Sequence, residues 1–434
     1  MEEILRKVKK VVNEAEVFSI SRRETNAVFE ANRLKQVHSR ETSGKALRVI
    51  KDGKIGLSAS NKADCTEELI SMAVEVAAFG AEAKFKFPQL ERYPLVEVYD
   101  SQIEKVTEDQ MVKLGQSLID NVLHHTSELV CEASVSASTV TIDLINSRGG
   151  QTQYKKSIFG FNIEGVLIRS TDMLFVGDSD SSCHPLTDTS TVIKTTIEQL
   201  ERSKETVVSP LGQLPVIFTP IGVTSAFIAP LATAVNGKTV LQGASPLGTR
   251  KGEKVFDSKL SVTDDALIDY RPGSRYCDAE GIPSQRTPLI ENGVVTNFLY
   301  DLQTAALSGA KSTGSAARDL ASLPSPSVSS LIIQTGENSF EDILADMKKG
   351  LIVEQLIGAS QGNVLGGEFS GNILLGYAVE NGRITGRVKD TMVSGNIYDV
   401  LKDIAAISKE CKWIGGRLCS PFILCPRVAV SSKS

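Results

Sequence analysis

The chain has 434 residues, 41% hydrophobic and 23% charged, enough to bury one large core or, on length, two. A formal net charge of -5, a pI near 5.7 and the lack of a long basic run give no overall attraction to nucleic acid, which disfavours direct DNA binding. No run of about 18 apolar residues occurs, and the amino terminus, MEEILRKVKKVVNEAE, is charged from its second residue without a secretory apolar region, so a soluble cytoplasmic protein is expected.

In chain order, Ile4, Val8, Val11 and Val12 stand at helical spacing, predicting a helix over residues 2–14. Residues 15–20, 26–31 and 46–50 are strand-like, and Asp52-Gly53 turns the last of these into 55–58 as a tight hairpin. An apolar, Ala-rich helix follows over 63–83, with Asp64 or Thr66 at its cap, and then a loop over 88–94. Over 107–125, Met111, Leu114, Leu118, Ile119, Val122 and Leu123 share one face, and Thr107 with Gln110 forms a capping box. Cys131, Ala133, Val135 and Ala137 alternate, giving a strand over 130–145 that turns at 146–150 into a second, 154–168. Residues 178–188 are polar, and 191–202 are predicted helical.

The second half opens with an apolar strand over 214–219 and continues through Gly-, Ser-, Asn- and Asp-rich turns, among them Asn236-Gly237. Asn292-Gly293, between Leu289-Ile290 and Val294-Val295, is a strong hairpin signal, because both central residues of a type I′ turn need positive φ. Glu380-Asn381-Gly382-Arg383 echoes it, which predicts two hairpins of one sheet. A short helix over 340–349 capped by Asn338 or Ser339, strands over 351–357, 373–379 and 422–430, and a helix over 396–409 complete the pattern. The fold class is α+β: an amino-terminal α/β domain with hairpins and helices (residues 1–205), and a carboxyl-terminal, predominantly antiparallel β domain with few helices (206–434).

The stretch 271–318 carries Asp278-x-x-Gly281-x-Pro283-x-x-Arg286, then Leu289-Ile290-Glu291-Asn292-Gly293, then Lys311-Ser312-Thr313-Gly314 with Arg318. In that order these resemble the TldD/PmbA family, the modulators of DNA gyrase associated with zinc-dependent peptidase activity, and specifically its TldE (PmbA) branch. Residues 44–56 followed by a helix, and the Asn-Ser-x-Gly turn at 146–149, extend the resemblance. The metal-bearing branch carries HExxxH on the helix after the strand matched by 214–219. Here that position reads Val-Thr-Ser-Ala-Phe-Ile-Ala-Pro-Leu-Ala-Thr-Ala (223–234), without His, Cys, Asp or Glu. The resemblance therefore implies a non-catalytic subunit with no cofactor of its own, paired with a TldD-like, zinc-bearing partner or with itself as a dimer. Short or unfolded peptides would be the substrate, with no direct nucleic acid or membrane partner. The alternatives are a homodimeric peptide-binding or scaffold protein, and a metallopeptidase with its own unrecognised metal site.

The residues themselves offer few other centres. His38, His124, His125 and His184 are the only histidines, and His124, His125 and Glu128 at a helix end read as surface capping before metal binding. The seven cysteines are dispersed and odd in number, so they read as reduced, mostly buried thiols, Cys411 among them, although the resemblance sets it in the region where the catalytic branch has a metal-assisting cysteine. Gly358-Ala359-Ser360-Gln361-Gly362 matches a nucleophile elbow, but too many glycines follow for the required helix. Candidate substrate-binding residues are Arg275, Asp278, Glu280, Arg286, Glu291 and Asn292, where Arg286 pairing with Asp278 or Glu291 would fix the loop, and Lys311, Ser312 and Thr313, whose Gly-flanked loop has N–H groups for a peptide carboxylate. Exposed strand edges would also accept an extended peptide without sequence demands.

Overall fold

The computed structural model describes residues 1–170 and 172–432. Helix α1 (Glu2–Val8) leads into β1 (Glu14–Glu30), β2 (Arg33–Lys51) and β3 (Lys54–Ser60), then α2 (Thr66–Ala77) and α3 (Glu108–His125). After these come β4 (Val130–Asn146), β5 (Gln151–Arg169), β6 (Asp172–Ser182) and α4 (Ser190–Arg202). The six strands form one antiparallel sheet in the order β3-β2-β1-β4-β5-β6. Its helices cover one face: α1 and α2 pack Ile4, Val8, Leu69 and Ala73 on Val17, Leu47 and Val49, and α3 packs Met111, Leu118, Ile119 and Val122 beside Phe29 and Val135.

Local signals behaved as local physics predicts. Asp52 and Gly53 have φ of 52° and 76°, the type I′ pattern, and the Thr107/Gln110 capping box closes the start of α3. Where the expectation was two short strands over 15–31, one unbroken strand forms, because β2 and β4 flank it on both sides and complete its hydrogen bonding through the polar middle. The polar segment 178–182 likewise extends β6 by pairing with β5. Helix α1 stops at Val8 and leaves Val11 half exposed, and α2 takes Cys65 as its N-cap, without a side-chain cap, in place of Asp64 or Thr66.

The second half comprises β7 (Thr206–Val207), β8 (Gly212–Phe218), α5 (Pro220–Val223), a π turn (Thr224–Ile228), α6 (Ala229–Ala234), α7 (Gly237–Leu241), β9 (Val262–Asp265), β10 (Arg286–Glu291) and β11 (Val294–Val295). Next are α8 (Leu302–Ser308), the short pair β12 (Ala316–Ala317) and β13 (Ser325–Pro326), β14 (Leu331–Ile333), α9 (Phe340–Ala345), β15 (Lys349–Ile357) and β16 (Glu368–Glu380). The chain ends with β17 (Arg383–Val388), β18 (Thr391–Asn396), α10 (Ile397–Val400), β19 (Ala406–Ile414) and β20 (Leu418–Ser432). All of these strands except β12 and β13 belong to a second sheet, parallel only at β8–β15, β14–β20 and β7–β17. Its pairings close on themselves through β8, β15, β16, β18 and β20. Phe218, Phe227 and Phe369 meet in the core of this sheet, with ring centroids 4.6, 6.2 and 5.5 Å apart.

Both Asn-Gly hairpins lie in this second sheet, with φ of 50° and 80° at Asn292 and Gly293 and 49° and 75° at Asn381 and Gly382. The helix expected over 396–409 is one turn only; Ala406 onward is strand β19, because β20 lies alongside to complete its hydrogen bonds. Asn236 does not turn a loop but caps α7, accepting from the Lys238 N–H at 2.9 Å. Ile217, Ile352, Tyr377 and Phe340 of the second half pack into the same core as Phe161, Ile163 and Val176 of the first sheet. Among the described residues no helix is long and apolar enough to cross a membrane.

Candidate functional site

Glu16 and Arg48 are cross-strand neighbours on β1 and β2, Arg48 within the apolar run 46–50, and are 0% and 3% exposed. Side chains alternate along a strand, so both point away from the helix-covered face, toward the segment 278–318 of the second half. Arg318 Nη1 donates to Glu16 Oε1 at 2.7 Å, Arg48 Nη2 to Glu16 Oε2 at 3.0 Å, and Arg48 Nη1 to Glu280 Oε1 at 2.6 Å. The Leu302 N–H, at the start of α8, donates to Glu280 Oε2 at 2.7 Å. Two guanidinium and two carboxylate groups thus alternate in a fully buried line. Aromatic rings replace water around it: the Arg48 guanidinium lies 5.1 and 4.9 Å from the Phe85 and Phe87 centroids, and that of Arg318 lies 4.0 Å from Phe18.

The carboxylates of this cluster titrate in opposite directions. Burial pushes Glu16 upward, but Arg318 and Arg48 together outweigh it and hold the group below its ordinary value. Glu280 is raised to about 7: burial is the largest cause, Arg48 opposes it, and Asp278 and Asp301 reinforce it. Asp278 is raised by burial as well, against Arg275 and three backbone donors. Those donors are the N–H groups of Glu280 and Ile282 on Oδ1, at 2.9 and 3.0 Å, and of Ala316 on Oδ2, at 3.0 Å. One side chain thereby holds two loops together.

The nine candidate substrate-binding residues do not form one site. Asp278 and Glu280 are buried and engaged as above, with Arg275 partly buried beside Asp278 and Asp264. Arg286 begins β10 on the surface, 3.9 Å from Asp265; it pairs with neither Asp278 nor Glu291, because Asp278 is turned inward to backbone donors. Glu291 and Asn292 are exposed at the hairpin tip and Lys311 is exposed. Ser312 and Thr313 bond inward: Ser312 Oγ and the Thr313 N–H both donate to the Tyr300 carbonyl, at 3.2 and 3.1 Å, and Thr313 Oγ1 accepts from the Tyr300 N–H at 2.8 Å. Neither Glu16 nor Arg48 is among the sequence candidates; for Arg48, a single charge inside the apolar run 46–50 is a legible signal, whereas Glu16, two residues after Glu14, carries none.

Other sequence candidates fall apart likewise. Glu128 lies beyond the end of α3 with Arg169 at 3.9 Å, while His125 Nε2 pairs with Glu201 at 2.7 Å. Ser360 lies in a loop joining strands β15 and β16, without the helix an elbow requires. Cys411 is exposed on β19, whereas the other six cysteines are buried and all seven are free.

Family models match both halves: that of the PmbA/TldA metallopeptidase C-terminal domain over residues 211–432, and that of PmbA/TldA metallopeptidase domain 1 over 15–79. The chain belongs to this metallopeptidase-related family, and its fold is α+β. An uncharacterized protein of Methanocaldococcus jannaschii is 27% identical over 419 residues, 95% of each chain. A metalloprotease of Methanothermobacter thermautotrophicus is 24% identical over 422 residues, 94% of this chain and 90% of that one. The crystal structure of TldE from Thermococcus kodakarensis superposes with a TM-score of 0.90 at 23% identity over 100% of both chains. A protein described as a modulator of a DNA gyrase, from Thermotoga maritima, gives 0.89 at 21% identity over 99% of each.

A metallopeptidase family implies a zinc ion held by imidazole, thiolate or carboxylate groups. The helical turns over 220–234 that follow β8 carry aliphatic, aromatic and hydroxyl side chains, and their hydroxyls bond the backbone instead: Thr224 Oγ1 to the Pro220 carbonyl at 2.8 Å, Ser225 Oγ to that of Gly222 at 3.0 Å, and Thr233 Oγ1 to that of Ala229 at 2.8 Å. These residues do not fit a zinc ion. Among the described residues, no group of three His, Cys, Asp or Glu side chains converges to hold a metal.

Proposed function

We propose that this chain is the non-catalytic, TldE/PmbA-like subunit of a TldD/TldE-type metallopeptidase acting on short or unfolded peptides. It supplies chamber wall and substrate-docking strands, while a TldD-like partner supplies zinc, its ligands and the general base. The observation that carries this reading is the donor set after β8: where a zinc peptidase needs imidazoles and a carboxylate, every side chain from Val223 to Ala234 is apolar or a backbone-bonded hydroxyl.

The test is to co-express the tagged chain with an HExxxH-bearing homologue and measure association, zinc content and hydrolysis of an unstructured peptide. A stable complex is expected, with chelator-sensitive cleavage present only when both chains are. A chain that homodimerises and never exchanges with the homologue would support a self-standing scaffold. Stoichiometric zinc on the isolated chain, with cleavage lost on chelation, would overturn the proposal outright.

A further inference from the structure

Each sheet edge offers unpaired backbone N–H and C=O groups unless something covers them. In the first sheet, β6 is partly covered: the Gln199 side chain accepts from the Gly177 N–H at 2.7 Å and donates to its carbonyl at 3.2 Å, as a neighbouring strand would, and Arg387 donates to the Met173 carbonyl at 3.2 Å. Strand β3 is partly covered, with the Ile55 N–H on the Ala81 carbonyl at 2.9 Å and the Ala83 N–H on that of Gly53 at 2.8 Å. In the second sheet the end strands β7 and β11 are two residues long.

The outer half of β2 is different. Strand β3 pairs with it only from Lys45 to Lys51, so residues 33–44 are paired with β1 alone. The Ile55 N–H points away from β2, which fixes the alternation: the backbone groups of Val37, Ser39, Glu41 and Ser43 face outward. Among the described residues no hydrogen bond reaches those groups. From Arg33 to Ser43 every residue is exposed except Val37, which is half-buried. A long strand exposed on both sides and open along one edge is a template for another strand.

Its charge selects the occupant. Residues 33–45 hold Arg33, Lys35, Arg40 and Lys45 against the single acid Glu41; in the next strand Arg22 and Arg23 are offset by Glu24, opposite Arg40, and by Glu30, which pairs with Lys35, so the edge keeps a net positive charge. A second copy of β2 laid antiparallel would bring these cations against one another, which is unfavourable. We propose that the open edge of β2, residues 37–43, docks an extended, acidic peptide segment as an added strand. The backbone groups would supply register without sequence demands, and Arg40 and Arg33 would select acidic side chains. This deepens the docking role proposed above and rests on it.

The test uses the full chain and fluorescently labelled decapeptides alternating Glu with Thr, Lys with Thr, or Glu with Pro, followed by anisotropy. The Glu-Thr peptide is expected to bind about tenfold tighter than the Lys-Thr peptide, and the Glu-Pro peptide, lacking alternate donors, not to saturate. Ser39→Pro removes an outward N–H that no internal bond uses, and is expected to weaken Glu-Thr binding about tenfold, while Ser39→Ala, which removes only the exposed hydroxyl bond to Thr25 Oγ1, leaves that binding unchanged and serves as its stability control. Arg40→Glu should weaken Glu-Thr and strengthen Lys-Thr binding. Absence of saturable binding up to about 1 mM, or binding indifferent to both Ser39→Pro and Arg40→Glu, overturns the proposal, as does concentration-dependent self-association abolished by Ser39→Pro. Because the assay needs no partner, a chain that binds no peptide yet still assembles with the HExxxH homologue refutes only the β2 edge. A chain that binds but never assembles refutes only the subunit reading.

Discussion

At pH 8, where Glu280 is ionised, replacing Arg48 by Met strands a carboxylate in the interior. Arg48 is 3% exposed, contacts Glu280 at 2.6 Å and Glu16 at 3.0 Å, and lies against the Phe85–Phe87 ring pair. A methionine chain of similar length packs well against these rings, so little of the loss is cavity formation. What changes is charge: Glu16 keeps Arg318, but Glu280 is left with only the Leu302 N–H. Removing one partner of a buried ion pair costs about 3–5 kcal/mol, a large part of the roughly 5–15 kcal/mol by which domains are stable. The double variant Arg48→Met/Glu280→Gln removes the stranded charge and is expected to recover about half of that loss, a coupling of about 2 kcal/mol. Urea unfolding followed by circular dichroism, on wild type, both single variants and the double, measures each term. A cost below about 1 kcal/mol for Arg48→Met, or a double variant no more stable than that single one, would refute the view that this line of charges bonds the two halves.

The same cluster gives a pH signature. Glu280 is raised from 4.5 to about 7, so the folded state binds its proton more tightly; its contribution is present below the unfolded value and lost as pH rises through about 7. Wild type should therefore lose up to about 3 kcal/mol relative to Glu280→Gln between pH 5 and 8, and a pH-independent gap in urea midpoints would contradict this. Gly53 and Gly293 have similar φ, 76° and 80°, but a Cβ at Gly53 meets open space, whereas one at Gly293 overlaps the Phe256 carbonyl oxygen. Gly53→Ala is expected to cost about 1 kcal/mol and Gly293→Ala about 1–3 kcal/mol more; equal thermal shifts would show that backbone conformation alone sets the cost.

By itself the sequence determined what depends on a few neighbouring residues. The Asp52-Gly53, Asn292-Gly293 and Asn381-Gly382 turns follow from tolerance of positive φ, and the Thr107/Gln110 cap from donors and acceptors three residues apart. The α+β class followed from summing such signals. Tertiary structure decided where a segment's state depends on its neighbours in space: 178–182 and 406–407 became strand because β5 and β20 lie alongside, and Ser408 and Lys409 bond instead to Gly336 and Asn338. It also decided the buried site. Arg48 meets Glu280 across 232 positions and Arg318 meets Glu16 across 302, so no local pattern could pair them, and Arg286, close in sequence to Asp278, lies at the surface instead. A charge within an apolar strand announces that a partner exists; only the folded chain, bringing opposite charges together out of water, says which one.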